Sequence, residues 1–151
     1  MLEFPKGFDA VMVSYLDAYK DYGYIGSNVI QNEKTDGART ADLKYTDDVR
    51  GQFVIEEGPV GGWCAAFRRK HYRLLHPILW FWDIKMKMPE DALLQSFCFR
   101  IHKRVGIIRD LKVLHACGPV YAKEFNQIDR EIEKYKIGAR EDLIAQYEIV
   151  R

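Results

Sequence analysis

From Pro119 onward the apolar residues advance by four, three, four and three: Tyr121, Phe125, Ile128, Ile132 and Tyr135. Such stepping keeps every large side chain on one stripe of an α-helix, because 3.6 residues complete a turn. A helix over 119–137 is therefore predicted, opened by Gly118-Pro119 and closed by Gly138. The same spacing recurs elsewhere. Phe8, Val11 or Met12, Tyr15, Ala18 or Tyr19 and Tyr22 predict a helix over 7–22, with Gly23 as its left-handed terminator. Trp63, Phe67, His71 and Leu74 predict one over 63–75, ended or kinked by Pro77. Leu94, Phe97 or Cys98, Ile101 and Val105 predict one over 89–105, with Pro89 at its first position and Gly106 at its end. Ile108, Leu111, Leu114 and Cys117 predict a short helix over 107–117, and Leu143, Tyr147 and Val150 a final one.

Residues 24–62 break this pattern. Six glycines interrupt them, together with Asn28, Asn32, Asp36, Asp47 and Asp48. Phe53, Val54 and Ile55 fit a short strand over 52–55, with 28–31 as its partner, and Thr46 to Asp48 suit the cap of a short helix. Ile84, Met86 and Met88 alternate with lysines in strand fashion. The expected fold is mainly α: a compact domain of about five helices, with a short β-hairpin within residues 24–62. At 151 residues the chain has the size of a single domain, 1–151, without repeats or an obvious linker.

Charge narrows the functional classes. Residues 1–61 carry six Lys/Arg against eleven Asp/Glu, a net of −5; residues 62–118 carry eleven against four, a net of +7; residues 119–151 carry six against seven, a net of −1. Either the acidic third neutralises the basic middle inside the fold, or the basic middle faces a polyanion. The longest apolar run, Ile78 to Trp82, is too short for a membrane span. Three cysteines make no disulfide framework, and MLEFPKGFDA lacks a secretory pattern, so the expected compartment is the cytoplasm.

Two elements suit nucleic acid. The tight turn at Gly118-Pro119 between the helices expected at 107–117 and 119–137 resembles a helix-turn-helix arrangement. The early face of the second helix carries Lys123, Asn126, Gln127 and Arg130, side chains able to bond base edges or phosphates, with Arg100, Lys103, Arg104, Arg109 and Lys112 as further phosphate contacts. Glu124, Asp129, Glu131 and Glu133 on that helix oppose this. The stretch from Trp63 to Trp82 interleaves Arg68, Arg69, Lys70, His71, Tyr72, Arg73 and His76 with rings, a pattern that holds a phosphate backbone and stacks bases.

Other chemistry is weaker. Cys98 with His102, and His115 with Cys117, are zinc-ligand types without a standard spacing. Cys64 or Cys117 as nucleophile lacks a visible activating base. There is no Walker loop, dinucleotide fingerprint or nucleophile elbow. The leading expectation is thus a regulatory nucleic-acid-binding protein without cofactor or metal. It acts through Arg68, Arg69, Lys70 and Arg73 on phosphates, assisted by Lys103 and Arg104, and through Lys123, Asn126, Gln127 and Arg130. A protein–protein adaptor or inhibitor using exposed rings and arginines is the alternative, and an enzyme with an unfamiliar site the third.

Overall fold

The computed structural model describes residues 2–30, 32, 43–81, 90–137 and 139–151, with backbone alone at Leu2, 77–81 and Glu90. The chain is α/β, not mainly α. The elements run β1 (Leu2–Glu3), α1 (Phe8–Ala18), β2 (Tyr22–Val29), β3 (Thr46–Arg50), β4 (Phe53–Glu57), β5 (Ala65–Phe67), α2 (Arg69–Phe81), α3 (Glu90–Arg100), β6 (Arg104–His115), α4 (Gly118–Glu124), α5 (Ile128–Ile137) and α6 (Glu141–Val150). Two compact units result. One contains the described parts of residues 4–28 and 41–113, the other those of 1–3, 29–40 and 114–151.

The first unit is built on a mixed sheet of order β3-β4-β6-β2-β5. The short helix expected at 107–117 is the long central strand β6 instead. Its i+3 matches, Ile108, Leu111 and Leu114, coexist with a denser set: Val105 and Ile107 belong to one apolar cluster, while Ile108, Leu111 and Val113 belong to the other. A strand covered on both faces reads as an almost continuous β-branched run, which a three–four count mistakes for a helix. β2 is equally enclosed, all eight residues being buried.

On one face α1 supplies Met12, Tyr15 and, just past its end, Tyr19, against Ile25, Ile55, Ile108 and Val113. On the other, α3 brings Leu94 and Cys98 to Tyr24, Val60, Val105 and Ile107. α1 stops a turn earlier than its periodicity suggests, because Tyr22 and Gly23 enter β2. Gly23 is no left-handed cap. It is needed for close approach: a Cβ there would stand 2.7 Å from Cys98 Sγ and 3.4 Å from His71 Nδ1.

The expected hairpin exists with a different partner. Phe53–Glu57 pairs antiparallel with Thr46–Arg50, not with 28–31, so Thr46 to Asp48 extend a strand and cap nothing. Gly51, at φ 62°, takes the left-handed position that this two-residue connection demands. In the segment expected to be helical over 63–75, Ala65–Phe67 joins the sheet edge beside Tyr24–Gly26, and the helix begins only at Arg69. It continues past Pro77 to Phe81. The alternating stretch at 84–88 lies outside the described residues.

In the second unit α4, α5 and α6 close around Ala122, Ile132, Ile144 and Tyr147, with the Tyr135 ring tilted against that of Tyr147 at 5.5 Å. β1 pairs here with the end of β6, Leu2 opposite His115. The helix expected over 119–137 is two helices. Asn126 adopts φ 53°, and Gln127 N–H donates back to Ala122 O (2.7 Å), which ends α4 before Ile128 restarts the coil.

Candidate nucleic-acid interface

At the end of the sheet where β2 and β6 begin, two arginines meet three carboxylates. Arg50 grips Asp21 with both terminal nitrogens (2.7 and 2.8 Å) and reaches Asp48 through Nε (3.1 Å) and Nη2 (2.9 Å). Arg104 bonds Glu57 through Nε (2.8 Å) and Nη2, and touches Asp48 and Asp21 through Nη1. Each guanidinium also lies over a ring, Arg50 over Tyr19 at 4.3 Å and Arg104 over Tyr22 at 4.7 Å. Hydrogen bonds from Arg50 hold the Asp21 and Asp48 carboxyls below the usual carboxylate range, and those from Arg104 do the same for Glu57. A second set ties Arg109 to Asp47 and Glu56. Much of the acidic first third thus neutralises the sheet cations of the basic middle, one of the two outcomes that the charge split allowed. The sequence named Arg104 as an assisting phosphate contact; the structure commits it to three carboxylates instead.

Arg68 is committed as well. Its Nε donates to Tyr22 O (2.8 Å), and its Nη2 to Tyr19 O (3.0 Å) and Leu16 O. These are carbonyls at and just beyond the end of α1, where a helix leaves acceptors to be satisfied from outside it; Tyr19 O also accepts from Tyr22 N–H (3.0 Å). Arg68 therefore fastens α1 to the start of α2, because a guanidinium is the side chain with enough donors to serve three carbonyls. Lys103 Nζ donates to Lys20 O (3.4 Å) at an exposed position.

The next turn of α2 differs. His71 and Leu75 form its buried face, at 5% and 1% exposure. Arg69, Lys70, Tyr72, Arg73 and His76 are all exposed. Arg69, Tyr72, Arg73 and His76, at intervals of three, one and three, line a hollow of about 330 Å³. The Tyr72 and His76 rings stand 5.6 Å apart at 52°. Arg69 also borders a neighbouring hollow of about 280 Å³ with Lys70, Arg68, Val13, Leu16, Phe67 and Asp17. Among the described residues, Arg69, Lys70 and Arg73 form no ion pair with a carboxylate. His71, beneath them, is held neutral: burial first, then nearby Lys70, Lys103 and Arg68, lower its pKa. Its Nδ1 has no hydrogen-bond partner among the described residues.

The four C-terminal candidates fall at the α4–α5 junction, not along one helix face. Lys123 and Asn126 are exposed, Asn126 being the left-handed connector; Gln127 Nε2 donates to Phe125 O (3.1 Å), and Arg130 Nη1 to Gln127 Oε1 (3.4 Å). With 107–115 in a strand, the helix-turn-helix reading loses its first helix. Glu131 and Glu133 are engaged by Lys134 and Lys136 (both 2.9 Å).

Two of the three thiols are buried, and Cys117 is partly so. Cys98 is fully buried and its pKa is pushed up to about 12; burial raises that of Cys64 too. His102 sits exposed beyond α3 at φ 54°. Among the described residues no three His, Cys, Asp or Glu side chains gather as metal ligands, and no helix is long and apolar enough to cross a membrane.

Sequence reasoning singled out the α2 cations through their interleaving with rings. It missed the Asp21–Asp48–Arg50–Glu57–Arg104 network, whose only linear trace is the opposite charge of the two segments. No protein-family model matches the chain, and no curated protein or solved structure is significantly similar to it.

Proposed function

We propose that the protein binds nucleic acid through the exposed face of α2, with Arg69, Lys70 and Arg73 on phosphates. One observation carries this reading: the arginines of the sheet and Arg68 are consumed by internal acceptors, while among the described residues these three cations stand on adjacent turns without a carboxylate partner. Unpaired cations at such density repel one another, and a line of phosphates relieves that repulsion while releasing counterions. From Arg69 to His76 the helix rises about 10 Å, long enough for its cations to meet more than one phosphate of a strand.

Binding of fluorescently labelled oligonucleotides, followed by anisotropy between about 50 and 200 mM salt, tests the reading. Affinity should fall steeply with salt. The triple variant Arg69→Ala/Lys70→Ala/Arg73→Ala should keep the fold and flatten the log–log salt slope by about 2 to 3, since each lost phosphate contact contributes roughly 0.7–0.9. Arg104→Met should leave that slope unchanged. Absence of binding at low salt, or an unaltered slope in the triple variant, overturns the proposal.

A further inference from the structure

We infer that the hollow on α2 seats an unpaired base, so that the ligand is single-stranded nucleic acid rather than a duplex. The inference rests on the phosphate reading above and adds the class of strand. Its ground is the composition of the hollow. Two guanidinium planes, Arg69 and Arg73, alternate along one helix face with two rings, Tyr72 and His76. All four are exposed, Tyr72 at 45%. These are the groups on which an unstacked base lies flat: each base has a π-face, and arginine adds a cation–π contribution.

The rings do not satisfy one another. At 5.6 Å and 52° they are tilted, so the imidazole does not lie flat on the Tyr72 ring, and both rings line the hollow. A volume of about 330 Å³ is at the small end of ligand sites, suited to one base and not to a longer stack. A duplex offers this surface little. Its bases are stacked inside, and its groove edges are read by bidentate amides or guanidinium forks entering the major groove, whereas the lining here presents planes. Lys70, in the hollow that shares Arg69, holds the phosphate on the side away from His76. Asp17 in that second hollow places a negative charge beside it and limits the track to the α2 side.

The test compares an oligothymidylate of about ten residues with a duplex of equal phosphate number, against wild type, Tyr72→Ala and Tyr72→Phe, at about 50 mM salt. Circular dichroism confirms that each variant is folded. Wild type should prefer the single strand, and Tyr72→Ala should weaken that binding about five- to a hundredfold, the range of one lost stacking contact. Tyr72→Phe should retain it, and duplex binding should be indifferent to both. Equal affinity for duplex and single strand, or single-strand binding unmoved by Tyr72→Ala, overturns the base site and leaves phosphate binding standing. Binding of neither oligonucleotide, including the case in which an acidic peptide alone binds, overturns both.

Discussion

At the scale of single residues, the informative distinction is between arginines of the same linear cluster. Arg68 and Arg69 are neighbours, yet one donates to three main-chain carbonyls and the other lines a hollow open to solvent. Nothing in the sequence separates them, because what decides is the position of the end of α1, fifty residues away. Replacing Arg68 by Met removes charge-assisted hydrogen bonds, each worth about 1.5–3 kcal/mol, while Tyr19 O keeps the Tyr22 N–H. The expected loss of stability is about 2–4 kcal/mol by urea unfolding, with oligonucleotide affinity of the folded fraction unchanged. His71 provides a second residue-level expectation. Its folded pKa lies below its ordinary value near 6.5, so the unfolded chain binds the proton more readily. The neutral imidazole therefore costs nothing above pH 6.5, and stability declines as pH drops through that value toward the depressed one. In His71→Phe the decline between pH 7 and 5, measured as midpoint denaturant concentration, should be shallower; an identical pH dependence contradicts the assignment.

Among elements, the C-terminal helices show how far periodicity reaches. Of the apolar steps from Tyr121 to Tyr135 the last three mark side chains that face inward: Ile132 is buried, and Ile128 and Tyr135 pack against the same cluster, whereas Phe125 is 46% exposed. They do not reveal the break, because a stripe survives an interruption whose two helices both turn their apolar faces to one core. The break is set by Asn126, a residue type that tolerates the left-handed region and sits at its centre. Asn126→Gly should be neutral or stabilising by up to about 1 kcal/mol, and Asn126→Ala destabilising by a similar amount. Neither should alter oligonucleotide affinity if α2 is the binding element; a loss on Asn126→Gly would return the α4–α5 junction to the interface. β6 is the opposite case. Its type was illegible because burial on both faces removed the alternation that distinguishes strand from helix, while the β4 strand, with one residue in five fully buried, kept a readable signal at Phe53 to Ile55. The α2 cations were legible because rings and charges interleave locally, without reference to distant chain.

For the molecule as a whole, the division between acidic and basic segments resolves into two populations of positive charge. Arg50, Arg104 and Arg109 on the sheet answer carboxylates from residues 21–57, and among the described residues Arg69, Lys70 and Arg73 on α2 do not. If that partition is right, the two can be altered separately. Arg104→Met deletes the fork that joins Glu57 to Asp48 and Asp21, leaving Asp21 and Asp48 to Arg50 alone and Glu57 without its guanidinium partner. The site is partly exposed, so the cost stays well below that of a fully buried pair and should be about 1–3 kcal/mol near pH 7. Its pH dependence has a definite sign. Asp48 and Glu57 are held below their ordinary pKa, so their pairing stabilises the fold above the normal carboxylate range and is lost as acid protonates them. The gap in unfolding free energy between wild type and Arg104→Met should therefore be largest near neutrality and shrink steadily below pH of about 4. A gap independent of pH would mean that Arg104 acts through its packing on Tyr22 and not through charge. In the same preparations the salt slope for oligonucleotide binding should stay at the wild-type value, since a guanidinium already bonded to carboxylates releases no counterion from phosphate.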